Sequence, residues 1–190
     1  MSRRSRRPSE PTRPHVCGLS FGGALAFEVY RRHPGLPRSL ILASAYAGWA
    51  GSLSPDVVEA RREHTLRQAD LPPEEFADVW LTTLVSKSAP AAVVAEVRAM
   101  LHEFHPNGIR PGTRAIADAD LRDACMRIDV PTLLIYGDED VRPPLAVAED
   151  LHSRIPGSQL VVLPGVGHLV DVEAGDRFNA EIRAFLRAVG

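Results

Sequence analysis

The chain has 190 residues, of which 45% are hydrophobic, and its formal net charge is -2. That length is enough for one globular domain with a buried core. The near-neutral charge gives no reason to expect nucleic acid or an anionic membrane as a partner, and no apolar run approaches the ~18–20 residues of a membrane-spanning helix.

Residues 1–14 differ from the rest of the chain, because they contain five arginines, three prolines and almost no apolar side chains. They lack the apolar segment that a secretory signal requires. We predict a disordered basic tail. A basic arm for nucleic acid is a second interpretation, and a misplaced coding start or a missing N-terminal half is a third.

The first predicted elements alternate between strand and helix. Residues 15–20 are typical of a short strand that runs into a turn, and residues 21–33 have helical spacing, with Pro34 and Gly35 ending the helix. Residues 39–43 are almost entirely apolar, which is typical of a strand buried on both faces of a parallel sheet.

Cys17 lies in the first of these strands, and Cys125 adjoins a later apolar segment. Two cysteines are too few for a disulfide framework, so we predict two buried free thiols, as in a reducing compartment. We therefore expect a cytoplasmic protein.

The segment 54–123 interrupts the alternation, because it holds helical patterns over 56–68, 73–84 and 91–104 and no convincing strand. We predict a helical cap over the carboxyl edge of the sheet, where open α/β sheets bind their ligands. Structural helices away from any site are the alternative. Trp49 and Trp80 lie in or beside this segment and are candidate substrate-binding residues, although such aromatic side chains also serve as packing core.

The rest of the chain, after residue 123, again alternates between strand and helix. Residues 130–136 and 159–163 are apolar strand-like runs, and residues 144–155 and 173–189 are helix-like. The whole pattern predicts an α/β fold with a mainly parallel sheet flanked by helices. Its core comprises residues 15–53 and 124–190.

Residues 18–22 read Gly-Leu-Ser-Phe-Gly and match the pattern G-x-S-x-G between a strand and a helix. A serine at such a turn is held in a strained backbone conformation, and we expect Gly18 and Gly22 to let strand and helix approach closely. Ser20 is the candidate nucleophile, and the backbone N–H of Phe21 is a candidate oxyanion donor at the helix N-terminus. An ordinary serine in a glycine-rich turn is the alternative.

A serine hydroxyl needs a base, and His168 is the best placed histidine. It ends the glycine-rich stretch 164–168, between the last predicted strand and the final helix, which brings it to the edge where Ser20 lies. His102 and His105 are three residues apart and form a weak metal-site pattern with no further ligands. We expect no metal and no cofactor.

The base needs a carboxylate, and Asp138, Glu139 and Asp140 follow the strand at 130–136. Asp140 is favoured because it lies within the loop beyond the end of the strand, and Asp138 is the next candidate. The chain order Ser, Asp, His is the order that this arrangement requires in an α/β sheet enzyme.

Four segments together resemble the α/β-hydrolase superfamily, in particular its cap-bearing serine esterases and lactonase-like members: GLSFGG at 18–23, SLILAS at 39–44, VPTLLIYGDEDVRPP at 130–144, and the stretch from 163 to 186 around His168. The resemblance implies a triad of Ser20, Asp140 and His168. It implies hydrolysis of a small carboxylic ester or lactone through an acyl-enzyme. Thioester hydrolysis and a cofactor-free peroxidase-like side activity stay open.

The chain departs from this family before the nucleophile, because only about 15 residues precede a motif that usually follows several strands. The resemblance places a second oxyanion donor in an H-G loop there, and this chain has no H-G dipeptide. We therefore expect a partial α/β-hydrolase fold with an open sheet edge, and an isolated chain that is poorly active or needs a partner. A homodimer or a separate N-terminal half would cover the edge. A non-catalytic hydrolase that serves as a binding module is the alternative function.

Overall fold

The computed structural model describes residues 13–104 and 106–190. A single sheet of four parallel strands, in the order β1-β2-β3-β4, forms its centre. The strands are β1 (His15–Leu19), β2 (Ser39–Ala43), β3 (Thr132–Gly137) and β4 (Gln159–Leu163). This confirms the predicted α/β fold. The predicted basic tail falls almost wholly on residues 1–12, which lie outside the described residues, as does His105.

The two central strands are buried along their whole length, as their apolar sequences predict. A strand covered on both faces favours a continuous apolar run over an alternating one. The parallel register pairs Leu19 with Ala43, Ala43 with Ile135, and Gly137 with Leu163. The carboxyl ends of all four strands therefore meet at one edge of the sheet.

Helices cover both faces of the sheet. On one face, Phe27 and Leu151 pack with Leu42 and Leu134 of the central strands. On the other, Phe178 and Phe185 pack against strand residues that include Ile41. The helices concerned are α1 (Phe21–Arg32), α6 (Arg122–Cys125), α7 (Leu145–Arg154), α8 (Val170–Glu173) and α9 (Gly175–Val189).

The segment between β2 and β3 is helical, as predicted. It contains α2 (Pro55–Gln68), α3 (Pro73–Leu84), α4 (Ala91–His102), a short 3₁₀ turn (Pro106–Gly108) and α5 (Ile109–Asp118). Helices α3 and α4 share a separate apolar cluster that includes Phe76 and Val97, whereas Ile116 and Ala117 of α5 join the main core. The division of the chain into a core and a cap at 54–123 stays a prediction.

Two sequence expectations were wrong in detail. Cys125 is buried, but Cys17 is exposed, because β1 is an edge strand whose outer side has no neighbouring strand among the described residues. The final helix, expected over 173–189, begins at Gly175, because the backbone of Ala174 is not helical, and the short helix α8 before it was not expected. In the described part of the chain, no helix is both long and apolar enough to cross a membrane.

Candidate active site

Ser20 occupies the sharp turn between β1 and α1. Its φ is 52° and its ψ is -114°, a conformation that costs energy for any residue with a Cβ. Hydrogen bonds on both sides hold it there: the Ser20 N–H donates to the carbonyl of Ala43 at 2.8 Å, and the Ser20 carbonyl accepts from the N–H of Gly23 at 2.9 Å. The strained turn is therefore imposed by the sheet and by the first turn of the helix.

The glycines around Ser20 differ from the expectation. A Cβ on Gly18 would lie 2.2 Å from the carbonyl oxygen of Gly22, so the strand and helix do approach closely there. A Cβ on Gly22 would meet nothing within 4 Å, so its predicted packing role was wrong. Gly23 has that role instead, because a Cβ there would lie 2.4 Å from the Cβ of Ala45.

The N-terminus of α1 begins directly after Ser20. The N–H of Phe21 is the first amide of the helix, and no acceptor for it is found among the described residues. This amide and the positive end of the helix dipole favour negative charge beside Ser20. The geometry suits the expected oxyanion donor, and the role itself stays a prediction.

His168 lies in the loop between β4 and α8 and is only 2% exposed. Its Nδ1 is hydrogen-bonded to Oδ2 of Asp140 at 2.8 Å, and its carbonyl accepts from the hydroxyl of Ser44 at 2.9 Å. In the neutral ring, Nδ1–H donates to the carboxylate and Nε2 keeps its lone pair. Burial lowers the pKa of His168, and the adjacent Asp140 opposes that shift.

The three acidic residues after β3 have different partners. Asp140 is buried and accepts from His168 and, through Oδ1, from the backbone N–H of Arg142 at 2.8 Å. Asp138 is exposed and accepts from the N–H of Gly165 at 2.6 Å. Glu139 accepts from the N–H of Lys87 at 3.3 Å. Only Asp140 of the three contacts the imidazole.

Glu173, at the end of α8, anchors the histidine loop. Its Oε2 accepts from the N–H of Gly167 at 3.0 Å and from the N–H of Ser86 at 3.0 Å, and its other oxygen accepts from the Ser86 hydroxyl. The N–H of Leu169 also donates to the carbonyl of Leu84 at 3.0 Å. One carboxylate thus connects the loop that carries His168 to the helical segment.

Ser20 and His168 line one cavity of about 480 Å³. No hydrogen bond joins the Ser20 hydroxyl to the imidazole among the described residues, a common state of such pairs without substrate. Both Trp49 and Trp80 line the same cavity, and the ring of Trp80 also packs on Phe76 with centroids 4.7 Å apart. The helical segment contributes much of the wall: Arg61, Thr65, Trp80, Leu84, Phe104, Gly108, Ile109, Gly112, Thr113 and Ile116.

The sequence did not single out three polar residues of this wall, Tyr46, Arg61 and Arg142. Arg61 donates to the Tyr46 hydroxyl at 2.6 Å, and burial raises the pKa of that phenol. Burial lowers the pKa of Arg142 to about 10. Arg142 lies two residues after Asp140, so its place in the loop could have indicated a position near the site. Arg61 is one of several arginines on α2, and nothing in the sequence distinguishes it from the others.

The weak metal pattern gains no support. His102 is the last residue of α4 and is exposed, and His105 lies outside the described residues. Across residues 13–104 and 106–190, no group of three or more His, Cys, Asp or Glu side chains is arranged to hold a metal ion.

Comparison with known proteins gives one family match. The model of the alpha/beta hydrolase family matches residues 3–181. A curated relative, the pimeloyl-[acyl-carrier protein] methyl ester esterase of Vibrio parahaemolyticus, is 31% identical over 176 residues, which cover 88% of this chain and 68% of the relative.

Two solved structures are similar as well. A thermophilic esterase from Thermogutta terrifontis, with malate bound, superposes with a TM-score of 0.80 at 30% identity, covering 91% of this chain and 64% of that one. The enol-lactonase from Burkholderia xenovorans superposes with a TM-score of 0.78 at 26% identity, covering 92% and 66%. The chain thus spans about two thirds of the length of these proteins.

Proposed function

The chain belongs to the alpha/beta hydrolase family, and on that premise we propose that it hydrolyses a small carboxylic ester or lactone through Ser20, His168 and Asp140. The observation that carries the proposal is the buried 2.8 Å hydrogen bond from His168 to Asp140, beside a cavity whose wall also holds the strained Ser20. A base oriented by a carboxylate next to a serine is the arrangement that acyl transfer requires.

In the proposed mechanism, Oγ of Ser20 attacks the substrate carbonyl while Nε2 of His168 takes the hydroxyl proton. Asp140 holds the ring in the tautomer that frees Nε2 and stabilises the imidazolium. The oxyanion forms at the N-terminus of α1, beside the N–H of Phe21. His168 then protonates the leaving alcohol, and a water molecule activated by the same base releases the acyl group.

The relatives and the cavity support the proposed substrate class. The Vibrio relative is named for a methyl ester and the Burkholderia structure for a lactone. A cavity of about 480 Å³ lies at the small end of ligand sites. We propose that Trp49 and Trp80 contact the substrate there. Because Cys17 and Cys125 are free thiols, we also propose a reducing, cytoplasmic location.

Labelling with a fluorophosphonate probe tests the proposal. We expect the folded chain to be labelled and Ser20→Ala to be unlabelled, with hydrolysis of p-nitrophenyl acetate or a small lactone lost in parallel. A matched control is Ser153→Ala, since Ser153 is exposed on α7 and lies outside the cavity wall. Folded protein that takes no label and hydrolyses neither substrate would contradict the proposal.

A second candidate, a non-catalytic binding module, is favoured by one observation. The outer edge of β1 is unpaired in the described structure, and Phe21 and Leu25 of the adjacent α1 are 40% and 52% exposed. We propose that a second copy or a separate N-terminal segment covers this edge. Sedimentation of the purified chain tests the first arrangement. A monomer with ordinary esterase turnover would contradict both the binding-module function and the need for a covering partner.

A further inference from the structure

Two arginines form a joined pair in the wall of the cavity that holds Ser20 and His168. Arg61 comes from α2, and Arg142 lies in the loop just after Asp140. A guanidinium nitrogen of Arg61 donates to the carbonyl of Arg142 at 3.0 Å, and another donates to the Tyr46 hydroxyl at 2.6 Å. These bonds fix the Arg61 guanidinium against the backbone of Arg142 and the Tyr46 hydroxyl.

The Arg142 side chain is held from two sides. Its Nε donates to the Thr83 hydroxyl at 3.1 Å, and its guanidinium carbon lies 4.5 Å from the centre of the Trp80 ring. Stacking on an indole fixes the plane of a guanidinium and leaves its outer nitrogens free to bind. No protein acceptor for those two terminal nitrogens is recorded in the described part of the chain.

Among the described residues, neither arginine has a carboxylate in salt-bridge contact, although burial lowers the pKa of Arg142 and the charge of the nearby Asp140 partly opposes that shift. In the described ranges, no carboxylate forms an ion pair with Arg61 or Arg142, whereas the neighbouring Arg62 pairs with Glu59 and Asp118. The oxygens of Asp140 are engaged by the His168 ring and the Arg142 backbone N–H.

A cation that is partly buried and has no carboxylate in direct contact is costly. Burial lowers the pKa of Arg142 to about 10, so the group is still cationic at neutral pH despite its desolvation. A bound anion would satisfy both the charge and the free donors. A carboxylate matches the planar fork of a guanidinium with two parallel hydrogen bonds.

We propose that Arg61 and Arg142 bind a carboxylate on the substrate, so that the enzyme prefers esters or lactones with a free acid group a few carbons from the reacting carbonyl. The rest of the cavity wall is mostly apolar, with Leu84, Ile109 and Ile116 among its residues, which suits a short methylene chain. The inference rests on the proposed hydrolysis and names its substrate class: half-esters of dicarboxylic acids and carboxylated lactones.

Matched esters test the preference. We expect kcat/KM for monomethyl adipate to exceed that for dimethyl adipate by about tenfold or more at pH 7.5, as charge-assisted hydrogen bonds imply. Arg142→Gln and Arg61→Gln should reduce the ratio towards one, and Arg142→Lys should restore part of it. Arg62→Gln, which changes the paired arginine next to Arg61, should keep the full ratio. A wild-type ratio of one or less overturns the inference.

A binding measurement separates this inference from the hydrolysis itself. Calorimetry with Ser20→Ala should show binding of monomethyl adipate that Arg142→Gln weakens about tenfold, with circular dichroism confirming that each variant folds. Turnover of the dimethyl ester without preference for the half-ester leaves the hydrolase proposal standing and refutes the carboxylate site. Absent fluorophosphonate labelling of folded protein refutes the hydrolase proposal. The carboxylate site is then judged by calorimetry alone, and it is refuted if monomethyl adipate does not bind or if Arg142→Gln does not weaken its binding.

Discussion

At the scale of single residues, Asp138 and Asp140 lie in the same loop and differ in what they contact. Asp140 is buried against the His168 ring, whereas Asp138 is exposed and holds the N–H of Gly165. A carboxylate that contacts the base controls its tautomer, and one that contacts a backbone amide shapes the loop. The two positions therefore give a matched pair of variants.

We expect Asp140→Asn to lower kcat/KM for a neutral ester by about 10³–10⁴ with little change in Tm, since an amide favours the wrong tautomer of His168. Asp138→Asn keeps an oxygen acceptor for the N–H of Gly165 and should lower kcat/KM by less than about tenfold. Steady-state kinetics on both variants checks this. Equal losses at the two positions would contradict the assignment of Asp140.

The burial of His168 sets the pH dependence. Because burial lowers its pKa, the neutral ring that the proposed mechanism uses as base persists below the usual histidine range. We expect the acid limb of kcat/KM to fall with an apparent pKa below about 6.5, and the activity to be full above it. His152→Gln, at an exposed histidine of α7, should leave the profile unchanged. An acid limb centred above about 7 would contradict the direction.

At the scale of elements, the turn from β1 to α1 depends on Gly18 rather than on Gly22. The clash at Gly18 involves backbone atoms 2.2 Å away, which no side-chain rotation relieves, whereas Gly22 has open space within α1. The motif G-x-S-x-G requires a glycine at both positions. Only the packed structure shows that Gly18 has no room for a side chain and that Gly22 has.

We expect Gly18→Ala to destabilise the protein by about 1–3 kcal/mol, which lowers Tm by about 2–4 °C per kcal/mol, and to abolish labelling of Ser20. Gly22→Ala should be neutral or stabilising by up to about 1 kcal/mol, because alanine is the better helix former. Thermal melts of both variants measure this. A harmless Gly18→Ala would show that the turn relaxes without cost.

The sequence predicted best those helices and strands whose pattern lies within one short stretch of the chain. The strands at Ser39–Ala43 and Gln159–Leu163 and the helix at Pro73–Leu84 have the expected bounds, because each is a distinct apolar or amphipathic run between chain breakers. The pairing of Asp140 with His168 followed from loop position. Arg61 and Tyr46 could not be predicted, since only the packing of α2 on the loop after β2 brings them together.

At the scale of the whole molecule, the described part of the chain has two buried central strands, β2 and β3, between two partly exposed edge strands, β1 and β4. β1 leads to Ser20 and carries the exposed Cys17. Unpaired backbone groups along an edge strand favour pairing with another chain. The thiol of Cys17 is therefore a reporter of whether the edge is covered.

We expect one thiol, Cys17, to react with a maleimide in the native protein at low concentration, and Cys125 to react only after unfolding, since it is fully buried. Cys17→Ser should remove the native reaction. Mass spectrometry of the modified peptides identifies the site. Slower modification at high protein concentration is the result expected if a second copy covers β1. Protection of Cys17 at every concentration would contradict an open edge in the single chain.

The shared anchor at Glu173 has a kinetic consequence. Because the same carboxylate holds Gly167, beside His168, and Ser86, just after the end of α3, we expect any movement of the helical segment away from the sheet to displace the histidine loop as well. If the predicted cap opens in this way to admit substrate, His168 leaves the position that the proposed proton transfer requires. Substrate entry and proton transfer would then alternate, and the slower of the two would limit the rate.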